Sequence, residues 1–279
     1  MTTNPGAVIT SRSIAIDAFR AIVMLLMIFV NDFWTITEVP VWLTHVPHGT
    51  DGMGLADVVF PAFLFIVGLS VPYAIQGRIK KGDKPGKIWL HIASRAFALI
   101  LMSTFLVNIE SYGEGSLIDQ SYWEVLVVIA FFLLWMNHKN SAAGYVKYLK
   151  VVGVMIMIAL IYAYRSNEGN YFTHWPYQWF GILGHIGWVY LLTASIFLLS
   201  RGALKIQIAA FVFFMFMGVA EFFGWLVPVE AIGDYIWSSQ NNALPAFTSA
   251  GIVVSLLYKR YTPNGKVFWF AAGGNGIIT

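Results

Sequence analysis

Apolar runs long enough to cross a membrane recur along this chain, with short polar segments between them. Several reach the ~20 residues that a helix needs to cross about 30 Å of hydrocarbon. They lack the alternating pattern of outer-membrane barrel strands. The pattern predicts an all-α, polytopic transmembrane helix bundle. The predicted spans are Ile14–Trp34, Leu55–Ile75, Ile88–Val107, Tyr122–Met136, Tyr148–Tyr164, Trp179–Ser200, Ile206–Val227 and Ala243–Tyr258.

A ninth apolar run, Val267–Thr279, ends with the chain. At 1.5 Å per residue it covers only about 20 Å, which is too short to span a bilayer. We therefore expect a partial ninth helix and a C-terminal truncation. Neither a soluble domain nor an internal repeat is evident, so residues 1–279 are interpreted as a single transmembrane domain.

The composition excludes a soluble domain. The chain is 58% hydrophobic and 11% charged, with a mean hydropathy of +0.69, whereas soluble domains are about a quarter charged. It contains no cysteine, which excludes disulfides and thiolate metal sites.

Basic residues indicate the orientation. With the N-terminus placed in the cytoplasm, the inside segments hold 14 of the 17 lysines and arginines. Arg165 lies in an outside loop, and Arg20 and Arg95 lie within spans. This asymmetry follows the positive-inside rule. It predicts a multi-pass membrane protein with a cytoplasmic N-terminus. The net charge of +3 then reflects topology, and no nucleic-acid partner is expected.

The stretch from residue 42 to residue 74 joins a polar loop directly to an apolar helix. The loop contains His45, His48 and Asp51, and Asp57 follows in the first turn of the helix. Titratable groups at the outer mouth of a span are a candidate site of chemistry. A metal site formed by the three loop residues is the alternative, but the sequence has no His-Glu-x-x-His motif. No metal is expected.

Charges inside a bilayer suggest function or a buried partner. Asp17 and Arg20, three residues apart, share a helix face and could form a local ion pair. Arg95 lies two turns inside the third span, and its guanidinium suits a buried carboxylate or a phosphate. With the basic loop at 78–87, it could receive a polyphosphate from the cytoplasm.

A second group of polar residues lies near the outer face. It includes Asn31 at the end of the first span and Glu221 in the seventh. Asp57 could simply cap its helix, because an acid at a helix N-terminus is stabilised by the dipole. His185 is flanked by glycines and could form a hydrogen bond between helices. Glu221 has no capping role, so we expect it to have a partner within this group.

These motifs together resemble the heparan-α-glucosaminide N-acetyltransferase family of transmembrane acyltransferases and its bacterial relatives. The resemblance is specific over residues 13–107. It rests on an Asp-x-x-Arg pair, a span-ending Asn, a loop His and an Asp-x-x-Phe-Pro motif, with a third-span Arg and a Gly-x-Asn-like element later. The matching residues are Asp17, Arg20, Asn31, His45, Asp57, Phe60, Pro61, Phe63, Phe65, Gly68, Arg95, Gly274 and Asn275.

The resemblance implies acetyl transfer from cytosolic acetyl-CoA, as co-substrate, to the amine of glucosamine or a related glycan across the membrane. The loop histidine would be the acetyl carrier or the general base. His45 is favoured, and His48 is the alternative because residues 46–50 interrupt the family motif. The other implied roles are orientation of the histidine by Asp57 and Asn31, donor binding by Arg95, Arg20 and Asn275, and acceptor binding by Asp51 and Glu221.

Two other classes of function remain open. A transporter could carry protons or a solute past Asp17, Arg95, His185 and Glu221, and a third reading is an inactive membrane scaffold. The expected partners are a small-molecule or glycan substrate and the lipid bilayer. A homodimer is possible.

Overall fold

The computed structural model describes residues 14–47, 50, 52–136, 144–172, 181–225 and 243–261. At five of these positions it describes the backbone but not the side chain: residues 14, 34, 35, 221 and 261. His48, Asp51, Asn275 and the predicted partial helix at Val267–Thr279 lie outside the described residues, as does the side chain of Glu221.

The described residues form eight α-helices and no strand. Every apolar run that predicted a complete span overlaps with one of these helices. A short 3-10 helix, Asp32–Thr35, follows the first of them. The helices are α1 (Ile14–Asn31), α2 (Leu55–Lys80), α3 (Pro85–Glu110), α4 (Gln120–Trp135), α5 (Gly144–Ala163), α6 (Ile182–Leu199), α7 (Leu204–Phe222) and α8 (Ala243–Tyr261).

Four of the described helices, α2, α3, α5 and α6, are long and apolar enough to cross a membrane. Two shorter apolar helices lie at Gln120–Trp135 and Leu204–Ala220. Large apolar side chains such as Leu25 and Ile28 on α1 are exposed, which is expected of surfaces that contact lipid rather than water. The described part of the chain is thus all-helical, as expected of a helical membrane protein.

Internal contacts divide the chain into two compact units. The first comprises residues 1–93, 189–227 and 240–279, and the second comprises residues 94–188 and 228–239. The prediction of a single domain for residues 1–279 stays a prediction.

In the first unit, α2 and α8 pack so closely that their backbones touch. A Cβ on Gly68 would collide with the carbonyl oxygen of Thr248, and a Cβ on Gly251 would collide with that of Phe65. The Thr248 hydroxyl donates a hydrogen bond to the carbonyl of Leu64 at 3.2 Å. Small residues and interhelical hydrogen bonds are the usual means of joining helices in a membrane. They fix α2 against α8 along the middle of both helices.

Two apolar clusters complete the first unit. One joins α1 to α2, through Val23, Val30, Ala56, Val59 and Ile66. The other joins α2 to the start of α3, to α6 and to α8, through Val71, Ile75, Ile88, Ile92, Ala194, Phe197 and Ile252.

The second unit is built around Trp123 of α4, which is fully buried. Its indole N–H donates to the carbonyl of Leu160 on α5 at 3.1 Å. The ring packs against Phe105, Tyr164 and Phe172 at centroid distances of 5.8–6.3 Å. Buried aromatic side chains contribute much of the packing energy of a core, so this cluster is expected to dominate the stability of the second unit.

Two loops of the second unit are tied to each other. The loop after α3 and the loop after α5 exchange backbone hydrogen bonds, from Gly113 to Arg165 at 2.9 Å and from Asn167 to Ser111 at 3.0 Å. A Cβ on Gly113 would collide with the carbonyl of Ser166. Glycine is therefore required at this position by the close approach of the second loop.

Candidate active site

The loop that precedes α2 folds back over the N-terminus of that helix. The amide of Leu55 donates to the carbonyl of Trp42 at 2.8 Å, and that of Ala56 donates to Leu43 at 3.3 Å. The first amides of a helix have no partner within the helix, and here the loop backbone supplies the acceptors. This pairing fixes the position of the next residues of the loop, including His45.

The carboxylate of Asp57 lies in the first turn of α2 and binds the loop with both oxygens. One oxygen, Oδ2, accepts the amides of Gly54 at 2.9 Å and Val46 at 3.2 Å. This oxygen therefore caps the helix and holds the loop. Asp57 thus has the capping role considered from the sequence, but this role uses only one of its two carboxylate oxygens.

The other oxygen of Asp57 contacts His45. The imidazole Nδ1 lies 2.7 Å from Asp57 Oδ1. Because an ionised carboxylate only accepts hydrogen bonds, Nδ1 carries the proton and donates it to this bond. The neutral imidazole then keeps its lone pair on Nε2. The His45 side chain is 61% exposed, against 29% for Asp57, so the imidazole is accessible while the carboxylate that orients it is largely covered.

Gly54 allows the loop and the helix to approach each other. It is buried, and a Cβ at this position would collide with the carbonyl oxygen of Thr44. Thr44 directly precedes His45, so a side chain at residue 54 would displace the histidine from the carboxylate. In the sequence, only a glycine just before the start of a helix marks this contact.

A pocket with a volume of about 240 Å³ lies beside the imidazole. Its described lining is mostly apolar, and only Thr44 and His45 contribute polar side chains. This volume accommodates a small acyl group or part of a ligand, since pockets for drug-sized ligands measure about 300–1,000 Å³. The described residues that line it are Val30, Phe33, Thr44, His45 and Ala56.

Asn31, predicted to orient the histidine, is the last residue of α1. Its side chain is exposed. The pocket is lined by the preceding residue, Val30, and by Phe33 of the following 3-10 helix. The structure thus brings the end of α1 to the pocket, and a role for the Asn31 amide stays a prediction.

Arg20, predicted to bind the donor, joins α1 to α2. Its Nη1 lies 3.3 Å from Asp17 Oδ1, so the local ion pair considered from the sequence is present. Its Nη2 donates to the Ser70 hydroxyl at 2.7 Å, and that hydroxyl donates to the carbonyl of Ile66 at 2.9 Å. Ser70 was not predicted from the sequence, because nothing about a lone serine on an apolar helix marks it as a partner for an arginine 50 residues away.

Arg95 lies in α3, ten residues after Pro85, and its side chain is exposed. It belongs to the second unit, and its role in donor binding stays a prediction. In the described part of the chain, no group of three or more His, Asp or Glu side chains could hold a metal ion.

These features define a helical membrane protein with an oriented histidine at one end of a membrane-type helix. The chain matches the model of one family over residues 12–238, a family described as "Domain of unknown function (DUF5009)". Because the match covers most of the chain, the protein belongs to this family.

Two curated relatives share part of the sequence. Heparan-alpha-glucosaminide N-acetyltransferase of Homo sapiens is 31% identical over 99 residues, which is 34% of this chain and 13% of the human protein. The protein of that name from Mus musculus is 30% identical over 103 residues, which is 35% of this chain and 14% of the mouse protein. The aligned segment is thus a small part of each relative. The resemblance seen in the motifs is confirmed. No solved structure matches the chain.

Proposed function

We propose that the protein is a membrane acetyltransferase that moves an acetyl group from acetyl-CoA to an amine, with His45 as its catalytic residue. The hydrogen bond between His45 Nδ1 and Asp57 Oδ1, at 2.7 Å, is the observation that carries the proposal. It fixes the tautomer and the orientation of an accessible imidazole beside an apolar pocket. The partial identity to two N-acetyltransferases supports acetyl transfer as the reaction.

The proposed chemistry needs one group that accepts a proton and later returns it. When an amine attacks an acetyl thioester, the C–N bond forms, the C–S bond breaks, and a proton passes from nitrogen to sulfur. His45 Nε2 accepts that proton, and Asp57 stabilises the imidazolium that results. Imidazole is suited to this role because its charge changes near neutral pH.

A second route uses Nε2 as the nucleophile. His45 would then carry the acetyl group between donor and acceptor. The same hydrogen bond to Asp57 serves both routes, because each needs the lone pair on Nε2. The routes differ in whether acetyl label remains on the protein when no acceptor is present.

The donor is proposed to enter from the cytoplasm. Acetyl-CoA carries phosphates, and the turn between α2 and α3 is rich in cations. Asp83 engages Arg78 and Lys87 there, while Lys80, Lys81 and Lys84 are exposed. A polyphosphate therefore fits the net positive charge of this turn. Arg95 of α3 is proposed as a further phosphate contact.

The acceptor is proposed to be an amino sugar, or a related glycan, on the opposite side of the membrane. This assignment follows from the proposed topology of eight spans with a cytoplasmic N-terminus in the bacterial inner membrane. The loop with His45 then faces outward. The identity to proteins named for heparan-alpha-glucosaminide supports glucosamine as the first acceptor to test.

The test is acetyl transfer by the purified full chain in lipid nanodiscs. The protein is incubated with [¹⁴C]acetyl-CoA and glucosamine or another amine, and labelled amide is separated and counted. The proposal predicts transfer by the wild type and none above background by His45→Ala. Absence of transfer with every amine tested, in wild-type protein that is folded, would contradict the proposal and favour a transporter or an inactive scaffold.

A matched control separates catalysis from folding. Thr44→Ser keeps a hydroxyl beside the histidine and is expected to retain activity, whereas His45→Gln keeps hydrogen-bonding capacity but lacks a titratable group. A thermal unfolding midpoint for His45→Gln within about 2 °C of wild type, a shift that corresponds to about 1 kcal/mol, assigns its loss of transfer to chemistry.

A further inference from the structure

The side chain of Lys259, near the end of α8, places its ammonium group against α2. Its Nζ donates to Gln76 Oε1 at 2.8 Å and lies 3.7 Å from the centre of the Tyr73 ring. The side chain is half-buried. Both of these partners are neutral, so the described contacts hold the ammonium without neutralising it.

The packing of the two helices explains why the ammonium is held there. The close contacts of Gly68 and Gly251 fix α8 against α2 about two turns before Lys259. A lysine at a helix end usually extends its charge into water or the headgroup layer. Lys259 instead turns toward α2, where the Tyr73 ring face attracts a cation. The ammonium has three donors, and Gln76 accepts one of them.

Further positive charge surrounds this position. Lys80, at the end of α2, is close enough to act electrostatically on Lys259, and Arg260 follows it in the chain. Asp83, the described carboxylate just beyond α2, is bound by Arg78 and Lys87. The dipoles of two helix C-termini favour cations here, but they do not explain why the Lys259 ammonium lies on neutral groups of α2.

We propose that Lys259 is the centre of a phosphate-binding site at the C-terminal ends of α2 and α8. Gln76 and Tyr73 position the ammonium, while Lys80 and Arg260 add positive charge around it. A partly desolvated cation held by neutral groups binds an anion more strongly than an exposed lysine does, because the local dielectric constant is lower. The ligand is a phosphate mono- or diester. Its source is either a soluble nucleotide such as coenzyme A, which rests on the proposed function, or the headgroup of an anionic phospholipid.

The nucleotide arm measures coenzyme A binding to the full chain in nanodiscs of phosphatidylcholine alone. Lys259→Gln is expected to weaken binding about tenfold, the loss of one charge-assisted hydrogen bond. Lys259→Arg keeps the charge and its attraction to the Tyr73 ring face, and it is expected to stay within about threefold of wild type. Lys150→Gln on α5 removes the same charge from an exposed position and serves as the matched control.

The lipid arm uses nanodiscs that contain phosphatidylglycerol as well as phosphatidylcholine. Native mass spectrometry of protein released from the discs counts the phosphatidylglycerol molecules that remain bound. If the headgroup is the ligand, wild type and Lys259→Arg retain more of it than Lys259→Gln does, while coenzyme A binding is the same in all three. If the nucleotide is the ligand, Lys259→Gln binds coenzyme A more weakly than wild type and Lys259→Arg do, while all three proteins retain the same amount of phosphatidylglycerol.

Two further results would distinguish a failure of the proposed phosphate site from a failure of the proposed acetyltransferase function. Equal coenzyme A affinity and equal lipid retention in folded wild-type and Lys259→Gln protein would overturn the phosphate site, whatever the acetyltransferase assay gives. A phosphate ligand that depends on Lys259, in a protein that transfers no acetyl group to any amine, would support the site and contradict the proposed function.

Discussion

His45 and Asp57 are joined by a 2.7 Å contact between the imidazole Nδ1 and the carboxylate Oδ1, across a loop that leaves the imidazole exposed. The second oxygen of Asp57 accepts two backbone amides. One carboxylate thus fixes the helix start, the loop and the histidine together. This arrangement separates the effect of Asp57 on structure from its effect on chemistry.

Asp57→Asn tests that separation. The asparagine can still accept the amides of Gly54 and Val46, so the loop is expected to stay in place. It cannot stabilise an imidazolium, so acetyl transfer is expected to fall about 100-fold or more. The measurement is kcat and KM for acetyl transfer, with kcat carrying the loss. A wild-type kcat in folded Asp57→Asn protein would show that the carboxylate takes no part in the chemistry.

Gly68 and Gly77 lie on the same helix but meet different surroundings. A Cβ on Gly68 would collide with the carbonyl of Thr248, whereas a Cβ on Gly77 would meet, among the described residues and outside its own helix backbone, no atom within 4 Å. Gly68→Ala is therefore expected to destabilise the fold by about 1–3 kcal/mol through overpacking. Gly77→Ala should be neutral or stabilise by up to about 1 kcal/mol, because alanine favours a helix over glycine.

Thermal unfolding in detergent compares these two variants directly. A lower midpoint for Gly68→Ala and an unchanged or higher midpoint for Gly77→Ala is the expected pattern. If both variants unfold at the wild-type midpoint, α2 and α8 do not approach each other as closely as the structure describes.

The sequence predicted the helices and the histidine–aspartate pair but not the contacts between distant segments. Apolar runs marked each of the eight helices. They underestimated α2 by five residues, because Gln76, Arg78 and Lys80 are polar yet favour helix. The pair at His45 and Asp57 was predictable because the loop between them is short.

Contacts between distant residues depend on which helices become neighbours. The hydrogen bond from Arg20 to Ser70 and the approach of Gly68 to Thr248 each join residues at least 50 positions apart. No local pattern encodes that pairing, and a serine or glycine on an apolar helix is equally common at lipid-facing positions. Packing in three dimensions, rather than propensity, decides these contacts.

Trp123 and Tyr122 are adjacent on α4, yet one is fully buried and the other is 70% exposed. Trp123→Ala removes the centre of the aromatic cluster and the hydrogen bond to Leu160. It is expected to destabilise the second unit by about 3–5 kcal/mol. Tyr122→Ala should change stability by about 0.5 kcal/mol or less. Equal effects of the two substitutions on the unfolding midpoint would contradict the burial of Trp123.

Asp83, in the turn between α2 and α3, gives the stability of that turn a dependence on pH. The hydrogen bond from Lys87, at 2.7 Å, and the charges of Lys87 and Arg78 lower the pKa of this carboxyl. Because the pKa is lower in the folded state, ionised Asp83 stabilises the turn, and this stabilisation is complete at a pH well above the unfolded pKa of about 3.9. It is lost as the pH falls below that value and through the folded pKa.

Hydrogen exchange of the 78–88 segment, followed from pH 6 to pH 3 and corrected for the intrinsic exchange rate, measures this effect. Protection in wild type is expected to decrease at the acid end of that range. Asp83→Asn should show weaker protection at pH 6 and little change on acidification. An identical pH profile in the variant would mean that another carboxyl controls the turn.

The orientation in the membrane can be tested without background labelling of natural cysteines, because the sequence contains none. Met53 and Glu168 lie in exposed loops on the side that the charge distribution assigns to the outside, and Lys84 lies on the opposite side. Cysteines introduced singly at residues 53 and 168 should react with an impermeant maleimide in intact cells. A cysteine at residue 84 should react only after the membrane is permeabilised. The predicted topology places 14 of the 17 basic residues on one side of the membrane, as the positive-inside rule requires of the cytoplasmic side. Labelling of residue 84 in intact cells would reverse the orientation and place His45 in the cytoplasm.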